Sequence, residues 1–187
     1  DGQAATVEDF LAAMAEASGR DFGQFARWYA QAGTPVLRIR DCWDAAGGTW
    51  SVRIEQSTPP TPGQPDKQPL HLPLAFALYD AGGRAIERLP VGDAVVPPGL
   101  IELTEAAHSL SLDGLAERPL PVFLQGLSAP VRLEYGYDAA ALSRIVAVER
   151  DALTRWEAVQ QLAFDALLGR GPDPTAARAA LVDALGG

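Results

Sequence analysis

The chain is almost without lysine. Lys67 is the only one in 187 residues, and 15 basic groups face 24 acidic ones for a net charge of −9. Contact with backbone phosphates needs clustered Lys and Arg. No such run exists, which argues against nucleic acid as a partner, and the acidic excess is read as serving solubility. There is one cysteine, Cys42, so no intrachain disulfide forms. A sandwich of this size without one fits a reducing compartment, and a cytoplasmic protein is expected. Cys42 falls in a strand pattern and reads as a small apolar strand residue, because a reactive thiol needs a basic, partly exposed setting. No apolar run approaches the roughly 20 residues that span a bilayer, so no membrane partner is expected. The opening Asp1-Gly2-Gln3 lacks the basic and apolar regions of a signal peptide. It also lacks a Met, which fits an excised or processed fragment.

Catalytic signatures are equally scarce. A catalytic zinc needs about three protein ligands, and the two histidines, His71 and His108, lie far apart with no His-Glu-x-x-His segment. Each reads as a structural histidine in or beside a strand. No Gly-x-Ser-x-Gly elbow or Gly-rich phosphate loop is present. Site assignments are therefore catalytic none, cofactor-binding none and metal none, and no enzyme activity is expected of this chain alone.

What remains is a run of short strands, Val36 to Tyr137, with helical patterns only at its ends. Val36, Leu37, Ile39 and Cys42 precede the turn cluster Asp44 to Gly48. Trp50, Val52 and Ile54 then alternate with Ser51, Arg53 and Glu55, the period-2 pattern of a half-buried strand. Five prolines between Ser57 and Pro69 predict an extended loop crossing between sheets. Leu70 to Tyr79 is an apolar strand in which Pro73 suggests an edge or bulge. Asp80 to Gly83 turns it, with Ala85 to Leu89 returning. Ile101–Leu103, Ser109–Leu112, Val122–Gln125 and Val131–Tyr137 complete about eight strands, a count suited to a sandwich. The fold class is mixed, mainly β: an immunoglobulin-like antiparallel β-sandwich flanked by N-terminal and C-terminal α-helices.

Before the strands, Thr6 and Asp9 form a capping-box pattern for a helix to Ala17, stopped by Ser18-Gly19. Asp21 is read as capping a second helix, Phe22 to Gln31, with Phe22, Phe25, Trp28 and Tyr29 on one face. Gly33 and Pro35 end it. After the strands, Ala139 to Leu168 is one long helix or two meeting near Asp151, stopped by Gly169 and Gly171. Asp173-Pro174 opens a last helix, Thr175 to Leu185. Its few apolar positions hardly make a core alone, so it reads as the start of a larger array. Glu149, Asp151 and Glu157, with Arg150 and Arg155, read as a solvated helix face.

The segment Phe25-x-x-Trp28-Tyr29-x-Gln31-x-Gly33-Thr34-Pro35 resembles the end of the catalytic domain in the bacterial aminopeptidase N family, the zinc-dependent gluzincin aminopeptidases. Asp1-Gly2-Gln3, Glu8-Asp9-Phe10, Thr58 to Pro62, Lys67 to Pro73 and Ser128 to Val131 are similar to further family segments. Arg150-Asp151 and Arg155-Trp156-Glu157-Ala158 resemble the start of its C-terminal helical domain. The resemblance implies three parts: residues 1–34, terminal helices of a catalytic domain; 35–138, the β-sandwich domain; 139–187, the first helices of a C-terminal domain. It implies interdomain packing by Phe25, Trp28, Gln31, Gly33, Pro35, Arg155, Trp156 and Glu157. The family's zinc helix precedes these segments, so no metal ligand or base transfers to any residue here.

Three functions follow. The first is a non-catalytic linker that spaces the catalytic and helical domains of a zinc aminopeptidase, an enzyme removing N-terminal residues from peptides. Its partners would be the parent's remaining domains, with a fragment dimer through exposed apolar surface as a further expectation. The second is a stand-alone binding module recognising a peptide or protein through the proline-rich loop. The third, an autonomous hydrolase, has the least support.

Overall fold

The computed structural model describes residues 4–91, 94–96, 99–169 and 173–186. Asp1-Gly2-Gln3 and Gly171, invoked above, lie outside the described residues. Helix α1, Val7–Ser18, starts on the expected box. Thr6 Oγ1 accepts from the N–H of Asp9 at 3.2 Å, and Asp9 Oδ2 accepts from the N–H of Thr6 at 2.9 Å. Gly19, at φ 67°, closes the helix.

The second helix is shorter than its pattern. Only α2, Arg27–Ala30, is helical, and turns precede it. Asp21 caps a turn, its Oδ1 accepting from the N–H of Gly23 at 2.7 Å. The side chains of Gln24, Arg27 and Trp28 reach main-chain carbonyls of the sandwich, and those tertiary bonds override local propensity.

Strands β1, Val36–Asp44, and β2, Thr49–Ser57, form a hairpin in which Trp43 opposes Trp50. Gly48 makes its turn at φ 62°, where a Cβ would lie 2.7 Å from the carbonyl oxygen of Leu115. In the second sheet β3, Leu72–Tyr79, is central. A small hairpin of β4, Leu89–Val91, and β5, Ala94–Val96, follows. The return strand expected at Ala85–Leu89 is thus not formed: pairing with β3 stops after Ala85 and Ile86, and exposed Glu87 and Arg88 carry the chain away.

Strand β6, Leu100–Leu103, runs along the first half of β3, and β8, Leu120–Phe123, along its second half on the other side. Pro73 therefore sits where β3 is paired on one side only, as a residue without an N–H requires. Strand β7, Ala107–Leu112, extends β2, and β9, Arg132–Glu134, joins β1 in parallel, giving the order β7-β2-β1-β9. One parallel pair thus enters a sandwich expected to be antiparallel. β8 ends two residues early because Leu124 turns left-handed, at φ 63°. β9 keeps three of its seven expected residues because Tyr135 and Tyr137 leave the ladder for an aromatic cluster with Phe123.

The main core lies between the sheets, with Leu37, Ile39, Trp50 and Ile54 facing Leu72, Leu74, Phe76 and Leu78. A second cluster covers the outer face of the β3–β8 pair. There Tyr79, Leu120 and Val122 meet Leu142, Ile145 and Leu162 of the C-terminal helices. Being covered on both faces explains why all four residues of β8 are buried.

The C-terminal segment is three helices: α3, Ala139–Val148; α4, Ala152–Leu168; and α5, Pro174–Gly186. The break falls at Asp151, whose Oδ1 accepts from the N–H of Thr154 at 2.7 Å. Gly169, at φ 63°, ends α4. Asp173 Oδ1 accepts from the N–H groups of Thr175 and Ala176 and opens α5. Ala180 and Leu181 pack on the second cluster, so α5 shares a core that its own sequence could not supply. Among the described residues no helix is long and apolar enough to cross a membrane.

Candidate docking surfaces at the two ends of the sandwich

Strand β3 joins two seams. Its first residues meet the chain's N-terminal segment and its last, Tyr79, meets α3. Eight residues at about 3.3 Å each separate the seams by roughly 25 Å.

At the first seam side chains bond main-chain groups. Arg27 Nη1 donates to the carbonyl of Pro69 at 2.6 Å, and Gln24 Nε2 to that of Thr104 at 2.6 Å. Trp28, partly buried against the core, donates its indole N–H to the carbonyl of His71 at 3.0 Å. Gln31 Nε2 donates to the carbonyl of Gln68 at 3.0 Å, and its Oε1 accepts from the N–H of the same residue at 2.6 Å. An amide side chain here does the work of a ladder partner. Lys67, the lone lysine, donates to the carbonyl of Ala32, to Thr61 Oγ1 and to Gln64 Oε1, all within 2.9 Å. The proline-rich loop thus crosses between sheets as expected and also clasps residues 24–34.

Of the expected packing residues here, Trp28 and Gln31 take part in these bonds, and Pro35 bonds β9 instead. The carbonyl of Pro35 accepts from the N–H of Arg132 at 2.8 Å. Gly33 sits at φ 104°, where a Cβ would lie 3.2 Å from Thr58 Cγ2, so only glycine fits easily. Phe25 stacks edge-on with Phe22 and Tyr29, both at 6.2 Å, and Tyr29 is exposed. The aromatic residues therefore divide between core and solvent instead of forming one buried stripe.

At the second seam the acidic residues part company. Glu149, read as solvated, is 3% exposed. Its Oε2 accepts from Gln125 Nε2 at 2.7 Å, and its Oε1 from the N–H groups of Arg150 and Asp151 at 2.7 and 2.9 Å. The carboxylate thereby ties the α3–α4 elbow to the sandwich. Burial, with the nearby Glu149 charge, pushes the Tyr79 phenol up to about 12. Hydrogen bonds from Thr154 hold the Asp151 carboxyl below its ordinary value. Arg155, Trp156 and Glu157 are all exposed on α4, and Trp156 keeps 54% of its surface in solvent. They make no side-chain hydrogen bond or ion pair among the described residues. Arg155 and Trp156 are not brought onto the sandwich, because α4 turns its Ala158 and Leu162 stripe inward instead, while Glu157 lies at the edge of a cavity between α4 and the strands.

Sequence reading missed Asp41. Its side chain is 7% exposed and accepts from Trp50 Nε1 at 2.7 Å, Tyr135 Oη at 3.0 Å and Arg118 Nη2 at 3.1 Å. The signal was available: Leu37, Ile39, Asp41 and Trp43 share one strand face, so an acid stands in an inward position. Cys42, next to it, is exposed and not the apolar filler expected. Burial raises the Tyr135 and Tyr137 phenols above their ordinary value, Asp41's charge adding to the effect at both.

Among the described residues no three His, Cys, Asp or Glu side chains converge as a metal requires. His108 Nε2 is already occupied as the acceptor for the N–H groups of Thr104 and Glu105, and His71 Nε2 lies 3.4 Å from Glu102. These residues do not fit a zinc site.

The model of a family described as "Domain of unknown function (DUF3458) Ig-like fold" matches residues 33–136, more than half of the chain. The chain belongs to the DUF3458 family. It is also homologous to bacterial aminopeptidase N. It is 38% identical over 162 residues to aminopeptidase N of Escherichia coli (strain K12), a match covering 87% of this chain and 18% of that protein. Identity to aminopeptidase N of Haemophilus influenzae is 40%, with the same coverages. Identity to aminopeptidase N of Caulobacter vibrioides is 42% over 172 residues, covering 91% and 19%. Among solved structures, Legionella pneumophila aminopeptidase A in complex with aspartic acid superposes with a TM-score of 0.73 at 24% identity, over 98% of this chain and 20% of that one. That likeness supports the DUF3458 fold alone. The chain spans about a fifth of the length of these relatives, and what it matches is their Ig-like domain region.

Proposed function

We propose that this chain is the non-catalytic spacer of a longer zinc aminopeptidase that removes N-terminal residues from peptides. Residues 1–34 would be the tail of the catalytic domain, 35–138 the sandwich domain, and 139–187 the opening of a C-terminal helical domain. The zinc and the catalytic groups would lie in other segments of that polypeptide, whose remaining domains are the partners in this reading. The proposed compartment is the cytoplasm.

One observation carries the reading. Helical segments before and after the sandwich turn large apolar side chains outward. Phe10 and Met14 of α1 are 59% and 40% exposed, and Leu167 and Trp156 of α4 are 76% and 54% exposed. Apolar surface of this kind fits burial against further protein. A stiff sandwich between two such helices would fix how far the catalytic domain stands from a helical cap. In isolation the same surfaces would favour a dimer.

The test is an aminoacyl-anilide assay of the purified chain with added zinc. The expected result is no turnover above a zinc-only blank. Turnover that co-purifies with the chain and survives removal of contaminating peptidase would overturn the reading.

A further inference from the structure

A cavity of about 330 Å3 lies where the last strands of both sheets, β8 and β9, meet α3 and α4. That volume is at the small end for ligand pockets. Its floor is aromatic. Phe123, Tyr135 and Tyr137 stack edge to face at 5.1 and 4.6 Å. Tyr135 donates to Asp41 Oδ1 at 3.0 Å, and Tyr137 Oη accepts from the N–H of Phe123 at 3.1 Å, which fixes both rings. The tyrosines therefore offer the cavity ring surface, which attracts cations.

One face of α4 forms a wall, with Leu153, Glu157 and Gln161 recurring every fourth residue. At the rim Arg132 donates to Glu134 at 2.8 Å, a carboxylate that it shares with Arg38. Glu157 has no ion-pair or hydrogen-bond partner among the described residues. Gln161 gives its amide N–H to Asp165, which leaves its carbonyl oxygen as an acceptor. On the α4 wall Glu157 and the Gln161 carbonyl are thus uncommitted acceptors, and Glu157 is anionic. Leu127 and Leu153 are 56% and 38% exposed and also line the cavity. Leu124 and Leu127 are the two non-glycine residues with positive φ among those described, at 63° and 50°, and both lie in its wall. Left-handed backbone at such residues is strained and clusters at functional sites.

We propose that this cavity binds a bulky apolar group bearing an ammonium or guanidinium head, its body on the tyrosine rings and its cation at Glu157. This goes beyond the spacer reading and does not depend on it.

The test is a 15N NMR titration of the chain with 2-phenylethylamine, 2-phenylethanol and phenylacetate, repeated on Glu157→Gln and Gln161→Trp. The amine should give saturable shifts confined to residues 122–127, 131–137 and 153–161, and bind about threefold or more tighter than the carboxylate, as for one exposed ion pair. Glu157→Gln should erase that preference while leaving the alcohol unaffected, and Gln161→Trp, which fills the cavity, should abolish all binding. N-acetyl-Phe-Arg-amide separates the sources. Competition by it supports a polypeptide side chain as occupant, and amine binding without competition supports a small free amine. The proposal is overturned by no saturable shift in those residues, by equal affinity for amine and carboxylate, or by a preference that survives Glu157→Gln.

Discussion

Replacing Asp41 by alanine removes one acceptor from three donors. Trp50 is fully buried, so its indole N–H has no route to water. Stranding a buried donor costs about 1–3 kcal/mol. Tyr135 is partly buried and loses its partner at about 1 kcal/mol. The Arg118 side chain is 57% exposed and rehydrates, so its loss is about 0–1 kcal/mol. Together these give a loss of about 2–5 kcal/mol, a large part of the roughly 5–15 kcal/mol that domains possess. The assay is urea unfolding followed by tryptophan fluorescence, with the midpoint falling and the slope unchanged. Adding Trp50→Phe should reduce the further cost of Asp41→Ala, because the stranded donor is gone. A loss under about 1 kcal/mol at unchanged slope would refute the assignment of Asp41 as the hub of this end of the core.

The two seam tryptophans should behave oppositely. Trp28→Ala loses core contact and its bond to His71 and should cost about 3 kcal/mol, whereas exposed Trp156→Ala should stay within about 0.5 kcal/mol, both read by denaturant midpoint. Alkali should destabilise the fold. Tyr79 is raised from 10.0 to about 12, so above pH 10 the unfolded chain releases a proton that the folded chain keeps. Stability is then full below pH 10 and is lost as pH rises through about 12. Tyr79→Phe should flatten that decline in unfolding curves taken from pH 9 to 11.5, and an unchanged slope would contradict the cause given.

The hairpin of β1 and β2 was legible because Trp50, Val52 and Ile54 alternate cleanly with polar residues. The caps at Thr6 and Asp173 were legible because each acts within three residues of itself, while at Asp151 only a break between two helices was one of the readings. The shortened helix at residues 22–31 was not, since Gln24, Arg27 and Trp28 answer to carbonyls more than 40 positions away. Glu149 was misread for the same reason. Its neighbours in sequence are charged, but Gln125, and Tyr79 beyond it, reach it only after the chain has folded. Trp156 was legible as a helix residue, while its exposure depends on which face of α4 the sandwich takes. The resemblance to aminopeptidase N is borne out by the relatives, and the motif residues proved to be of two kinds. Trp28, Gln31 and Gly33 hold the clasp together, whereas Arg155 and Trp156 face outward and Glu157 stands at the cavity rim.

The central claim is that the sandwich fixes the helical segments at its two ends in one geometry. Spin labels at exposed Ala30→Cys and Arg155→Cys, with Cys42→Ser removing the native thiol, allow that distance to be measured by double electron–electron resonance. The account predicts a single narrow distance peak, unchanged when ligand, salt or partner segments are added. A broad or two-peaked distribution would mean that the chain hinges between its ends, and the spacer reading would fall.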